Sequence, residues 1–454
     1  MITMLEQRLL TLKTHPVLSR YFSEAEPADR MPPDVLARFQ ADSLRAIVRR
    51  AYDGSPFYRG KMERGGITPG DIEGPADLSK LPFLTKDELR GNPWLLLACD
   101  KEDVALIQVS TGTTGGEEIY MASTWSDYIL CDLAPRYSSL FPIRPGDVCL
   151  NALPYEMSTA GLAFHKTFME GYQAAVIPAG KGGAYSTAPK TMKVIEDLRP
   201  SIIITSPSWA ITLAEEAARR SLDLTELLIK KIWLTGEGCS PAFRRRVEKL
   251  WGAPANFFYG SLECGVLGIE CDAHNGYHVP EAHVLMEVVD PRTGERLGAG
   301  GAGPADRPGP GPIGEIVVTA LLRYDTPVLR FRTGDLGCID STPCACGAQL
   351  RRFHMKGRAF DQIQIHGKSV SPIYLEELLM RMPEVGNWFQ FVVPAEAGAR
   401  LKVRCELAVG VRRASGLADR LALGMESATD LPFEFEIVER MPRPSGKAVR
   451  VVRE

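Results

Sequence analysis

From about residue 104 the chain alternates short apolar runs with helix-patterned stretches, and this alternation restricts the fold more than any other feature. The runs "DVCLNAL", "AAVIPA", "SIIIT", "KKIWLTGE" and "PANFFYG" read as strands. Between them, "TMKVIEDLR", "SWAITLAEEAARRS" and "PAFRRRVEKLW" read as helices. Strand, helix and strand in turn argue for a parallel α/β sheet. Before this region, "PPDVLARFQADSLRAIVRRAY" opens with prolines at helix-start positions and repeats apolar residues at helical spacing, so residues 1–97 are expected to be mostly helical. Near 280 the pattern changes to β runs with Gly/Pro turns, and "GAGGAGPADRPGPGPIG" (298–314) is a loop or insertion. The last stretch mixes an amphipathic helix, "SPIYLEELLMRM", with alternating strands, and a domain boundary is expected near 356–361.

Bulk properties exclude several classes. A net charge of −3 over 454 residues leaves no electrostatic footprint for nucleic acid. No run approaches the roughly 18 apolar residues of a membrane helix. The first residues carry mixed charges without an apolar core, so neither a signal peptide nor a membrane association is expected. Ten cysteines in a chain this long do not make a disulfide scaffold, which points to a reducing, cytoplasmic setting.

The chemistry-bearing stretches are turns. "QVSTGTTGGEEIY" (108–120) sets four hydroxyls around three glycines after an apolar run, a composition that offers backbone N–H groups and hydroxyls to an anion. It lacks the terminal Gly-Lys-Ser/Thr of the common phosphate loop and ends instead in Glu117-Glu118. Downstream follow "WLTGEGCS" (233–240), "YGSLECG" (259–265), "FRTGDLG" (331–337), "KGRAFDQIQIHGKSVSP" (356–372) and "RPSGKAVR" (443–450), each a turn with a charged residue beside glycine.

Six such motifs in this order resemble the adenylate-forming enzymes: acyl-CoA synthetases, adenylation domains and luciferases. "LRAIVRRAYDGSPFYRGKM", "LSKLPFLTKDELR" and "ECDAHNGYHVPEAHVLMEVVDP" resemble the phenylacetate–CoA ligase-like branch. The resemblance implies a large N-terminal α/β domain (1–356, with 104–356 forming the α/β and β parts) and a small mobile α+β C-terminal lid (357–454). It implies ATP-dependent activation of a carboxylic acid to an acyl-adenylate, with release of pyrophosphate, and transfer to the thiol of CoA. Transfer to a carrier-protein thiol or an amine, or a catalytically silent adenylate-binding protein, are the alternatives.

The resemblance also assigns residues. Ser110, Thr111, Gly112, Thr113, Thr114 and Gly115 would cradle the ATP phosphates, with Thr114 near the α-phosphate. Glu263 would hold Mg²⁺, a hard cation that takes carboxylate oxygen. Tyr259, with Gly260 beside it, would stack on adenine, and Gly236 and Glu237 would line the other side of the purine site. Asp335 would accept from the ribose hydroxyls, and Arg358 would sit at the ribose–phosphate edge. Lys447 would stabilise negative charge at the α-phosphate and carboxylate. Tyr155, Phe164, His165 and Trp209 would wall the acid pocket, and the branch implies an aryl or arylacetic acid. Some members of the branch bind structural zinc at matching positions, here Cys271, His278, Cys344 and Cys346, a closed set of one imidazole and three thiolates. A homodimer is also implied by the branch. Two departures stand out. Glu117-Glu118 replaces a Lys-Pro-like pair, and two inward-pointing carboxylates would repel triphosphate, so they are expected to point away, or to bind Mg²⁺ or a cationic group. Phe360 occupies a hinge position that usually carries a polar residue.

Overall fold

The computed structural model describes residues 6, 10, 14, 28–110, 117–130, 137, 139–157, 159–298, 309–396, 398–444 and 446–454. It is a mixed α/β structure that divides into two compact units. One comprises residues 1–147, 154–178 and 257–355, and the other residues 148–153, 179–256 and 356–454.

The first unit begins with helices Pro33–Gly54 and Pro56–Arg64, each with proline in its first turn, where the missing N–H costs nothing. On the long helix Gln40, Leu44, Ile47, Val48 and Ala51 are buried, the three- and four-residue spacing of one helix face. Ser55 closes this helix and opens the next, so the pair folds as one hairpin. Thr85 and Glu88 form a reciprocal capping box at the short helix Lys86–Leu89. The apolar faces of these elements share a core with Leu267, Val284, Ile316, Val318, Phe331 and Phe353. The sheet they cover runs, in spatial order, Val284–Val289, Gly314–Ala320, Val328–Asp340, Arg352–Arg358, Tyr277–His278, Gly265–Glu270 and Ala255–Ser261. Neighbouring strands pair antiparallel, as in Met286↔Val318 and Phe353↔Tyr277. Separately, Val104–Val109 pairs antiparallel with Tyr120–Thr124, so the Gly-rich stretch is bracketed by two strands of one ribbon.

In the second unit, strands Val148–Ala152, Ile202–Thr205 and Lys231–Leu234 pair parallel, with Cys149↔Ile202 and Ile203↔Ile232 in register. The latter two strands are buried at every residue, which is why they read as continuous apolar runs. Helices Ala188–Leu198, Pro207–Arg219 and Pro241–Trp251 carry the connections. Ser206 and Ser240 are the N-caps of the last two and accept from the backbone N–H three residues on.

The C-terminal residues of this unit form a four-stranded sheet in the order Phe433–Ile437, Leu401–Leu407, Val385–Val393, Val451–Arg453, with helices Pro372–Met380 and Leu417–Thr429. Several buried polar contacts fasten them to residues 179–256. Glu376 and Glu377 accept from the N–H groups of Ser240 (2.6 Å) and Ala242 (2.5 Å), so two carboxylates sit at the positive end of helix Pro241–Trp251. Arg246 donates to the carbonyls of Met380, Met382 and Val385. Glu215 accepts from both Trp388 and Arg443.

Candidate active site and metal centre

In the first unit, strand Ala255–Ser261 delivers Tyr259 and strand Val328–Asp340 delivers Asp335. The Tyr259 hydroxyl donates to the Asp335 carboxylate. Asp335 is buried, and its backbone N–H is held by Thr333 Oγ1 at 3.0 Å. The Tyr259 ring lies against Phe353 and Tyr277, with centroids 5.5 and 6.0 Å away. Gly260 must be glycine, because a Cβ there would meet the Gly265 carbonyl oxygen at 2.7 Å. Glu263 follows on the same turn. It is only 6% exposed, and among the described residues its carboxylate has neither a hydrogen-bond nor an ion-pair partner. A buried, unmatched carboxylate is costly unless a cation meets it, so the donor fits the Mg²⁺ role expected from sequence.

Of the phosphate-loop residues, Thr111, Gly112, Thr113, Thr114 and Gly115 lie outside the described residues. Ser110 lies inside them. Its Oγ donates to Glu118 Oε2 at 3.1 Å and accepts from Ile119 N at 3.3 Å. Arg90 Nη1 donates to the Glu117 carbonyl at 2.8 Å. The Glu118 carboxylate is thus turned onto the base of the ribbon, where it takes a hydroxyl.

The expected acid-pocket residues divide between the two units. Tyr155 OH and His165 Nδ1 are 3.1 Å apart. Phe164 is buried and meets Phe258 edge to face at 4.7 Å, with Phe168 at 5.9 Å and Phe141 at 6.4 Å. Trp209 belongs to the second unit, in the first turn of Pro207–Arg219. It is buried, and its indole N–H has no acceptor among the described residues.

Also in the second unit, Gly236 has φ +82, a conformation that favours glycine. It sets Glu237 against Lys181 at 2.9 Å, in an ion pair whose side chains are 7% and 3% exposed. Glu237 also accepts from Ser208 N (3.2 Å), Ser208 Oγ (2.7 Å) and Ala448 N (3.4 Å). Burial pushes the Glu237 carboxyl up, but the charge and hydrogen bond of Lys181 outweigh it and hold it below the ordinary value. Lys181 and Ser208 were not singled out from sequence. The signal was present in "GKGG", a lysine in a glycine-rich turn after a strand. Lys447 is exposed, while its neighbours Gly446 and Ala448 are tied to Lys181 and Glu237. The Arg358 guanidinium stacks over Phe360 at 5.6 Å, which gives that aromatic residue a partner. Burial pushes the thiols of Cys239 and Cys264 well above their ordinary range, which does not suit a nucleophile.

The ligand atoms of Cys271, His278, Cys344 and Cys346 all lie within 4.8 Å of one another. Cys271 Sγ and Cys344 Sγ are 3.6 Å apart, and Cys346 Sγ lies 3.3 Å from His278 Nε2. Tetrahedral zinc asks for edges of about 3.8 Å between sulfurs and about 3.6 Å between sulfur and nitrogen. His278 Nδ1 faces the Leu350 carbonyl at 3.3 Å, which holds a proton on that nitrogen and leaves Nε2 as the ligand. Burial lowers the affinity of His278 for a second proton, favouring the neutral, ligating form. The residues fit a closed structural zinc set.

Residues 70–319 match the family described as AMP-binding enzyme. The phenylacetate–coenzyme A ligase of Thermus thermophilus is 32% identical over 83% of this chain and 82% of its own length. The Escherichia coli phenylacetate–coenzyme A ligase is 28% identical over 94% and 97%. In fold, the chain is similar to the crystal structure of 2-hydroxyisobutyryl-CoA ligase in complex with 2-HIB-AMP (TM-score 0.84, 22% identity, 94% of this chain and 91% of that one). The chain therefore belongs to the family of AMP-binding enzymes, as an ATP-dependent, AMP-forming acid–thiol ligase of the phenylacetate–CoA ligase type.

Proposed function

We propose that this enzyme activates an aromatic carboxylic acid and passes its acyl group to CoA. A carboxylate oxygen attacks the α-phosphorus of ATP and pyrophosphate leaves, giving the acyl-adenylate. The CoA sulfur then attacks the acyl carbon and AMP leaves. Both steps call for positioning and charge neutralisation.

In this reading the 110–115 stretch holds the phosphates, Tyr259 and Gly260 border adenine with Gly236, and Asp335 accepts from the ribose. Glu237 braces the purine-side turn through Lys181 and Ser208, and Arg358 meets the ribose–phosphate edge. Lys447 donates to the oxygens that gain charge as the carboxylate attacks. Mg²⁺, held by Glu263, would neutralise phosphate charge. The Glu263 carboxylate is the observation that carries the reading, since it is mostly buried and has no partner among the described residues, as a site for a metal–nucleotide would require. The aromatic acid rests on Tyr155, Phe164, His165 and Trp209 and on the phenylacetate ligases to which the chain is similar. Cys271, His278, Cys344 and Cys346 would hold a structural zinc. The division into a 1–356 body and a 357–454 lid, a cytoplasmic setting and a homodimer remain part of the proposal.

The test is ATP–pyrophosphate exchange over a panel of aryl, arylacetic and aliphatic acids, followed by product mass spectrometry with CoA, amines and a carrier protein offered. Exchange driven best by an aromatic acid, with acyl-CoA as product, is expected. Exchange driven only by aliphatic acids refutes the substrate class. An amide or carrier thioester in place of acyl-CoA refutes the acceptor. ATP binding with no exchange for any acid favours a silent binder.

A further inference from the structure

A lysine side chain is seldom buried without a partner, and Lys181 has its three donors directed at three acceptors. Nζ lies 2.9 Å from Glu237 Oε1, 2.8 Å from the Gly446 carbonyl oxygen and 3.5 Å from Ser208 Oγ. Glu237 in turn takes the Ala448 N–H. The residues on either side of Lys447 are thus held by opposite members of one buried ion pair. The pair is itself seated on the first turn of helix Pro207–Arg219, where Ser208 N donates to Glu237 Oε2 and the helix dipole favours the carboxylate. Lys181 and Glu237 sit in loops that each follow a strand, and Ser208 sits in the first turn of a helix that follows another. These bonds run to the backbone at Gly446 and Ala448, on either side of Lys447, and through that backbone the pair acts.

We infer that Lys181 is a positioning residue: with Glu237 it fixes the backbone on both sides of Lys447 so that the Lys447 ammonium is presented for acyl-adenylate formation. The inference rests on the role given to Lys447 above. Freed from Lys181, the Gly446 carbonyl loses its partner and the turn can rotate about a glycine. A displacement on the order of 1 Å at a catalytic group costs up to about 100-fold in rate. Thioester formation from an acyl-adenylate already made does not need the triphosphate chemistry, and it does not draw on this anchor.

The test uses the full-length enzyme and Lys181→Met, which keeps length and removes the charge. Acid-dependent ATP–pyrophosphate exchange is measured beside single-turnover acyl-CoA formation from supplied acyl-adenylate and CoA. The expected result is a fall of about 10- to 100-fold in kcat for exchange at saturating ATP, with KM for the acid within about 3-fold of the parent and a clearly smaller loss in the rate from supplied acyl-adenylate. Equal losses in both half-reactions at equal folded fraction would mean a merely structural pair and overturn the inference, as would unchanged exchange. If Lys181→Met does not fold, Ser208→Ala removes one partner of the hub. It should slow exchange alone by several-fold, and an unchanged or evenly divided effect again overturns the inference. Failure of the underlying reading looks different: Lys447→Ala would then leave exchange intact, or the parent enzyme would show no exchange with any acid.

Discussion

Replacing Cys344 and Cys346 by serine should abolish binding of the proposed zinc and cost a defined amount of stability. A closed metal site that joins His278 to Cys344 spans a loop of about 66 residues, and the chain-entropy relation for a cross-link of that length gives about 4 kcal/mol. The unit that contains the site has about 270 residues, for which the unfolding entropy near the midpoint is about 570 cal/mol/K. The quotient is a fall of roughly 7 °C in the melting temperature of that unit. The geometry makes the result specific. Two of the ligand pairs, at 3.6 and 3.3 Å, already stand near the edges of a tetrahedron around zinc, so binding needs little rearrangement. The assay is elemental analysis of protein grown with ample metal, followed by calorimetry with and without chelator. About one zinc per chain is expected in the parent, none in the double variant, and a chelator-induced shift only in the parent. Parent protein without zinc, or zinc retained in the double variant, would refute the ligand assignment. Zinc lost with no change in melting would refute the cross-link argument.

Glu263→Gln keeps the shape of the side chain and removes the charge that would hold Mg²⁺. Exchange should fall by about 100-fold or more and need more Mg²⁺ for half-saturation, whereas stability should be unchanged or raised, because a buried charge with no partner among the described residues has gone. Asp335→Ala strands the Tyr259 hydroxyl and removes the proposed ribose acceptor. KM for ATP should rise about 10-fold or more, a loss of 1.5–3 kcal/mol for a charged hydrogen bond, with CoA kinetics near those of the parent. A KM that does not move would exclude Asp335 from the nucleotide site. The Glu237 carboxyl titrates below its ordinary value of 4.5 beside Lys181, with Glu376 and Arg450 also in its field. Its contribution to stability is therefore complete above that value and lost as the pH falls through the lower folded value. Urea unfolding of the parent and Glu237→Gln should differ most above about pH 5 and converge in more acid solution. A difference that does not vary with pH would show that the charge of Glu237 does not stabilise the fold.

The fold class was legible because burial leaves its mark on single strands. "SIIIT" and "KKIWL" are buried on both faces and need no distant information to look like strands of a parallel sheet. The helices between them declared themselves through Ser206-Pro207 and Ser240-Pro241, a cap followed by proline. The cysteine–histidine cluster was legible only as pieces. A Cys-x-Cys turn and a Cys-x₆-His stretch some 66 residues apart carry no message about each other until strand Arg352–Arg358 pairs with Tyr277–His278. Lys181 was passed over for a related reason. A lysine in a glycine turn looks solvated in sequence, and its burial depends on Glu237, Ser208 and Gly446 arriving from elsewhere.

The sequence by itself determined the alternating α/β order, the helix starts and the chemical type of each turn, since these depend on local dihedral preference, capping and period. The tertiary structure decided which turns meet. It joined Tyr259 to Asp335 across two strands, turned Glu118 onto Ser110, gathered three thiols and an imidazole, and set the flanks of Lys447 on a buried ion pair. Those outcomes depend on burial and on groups brought together from 8 to 265 residues apart, and neither can be read from one stretch of chain alone.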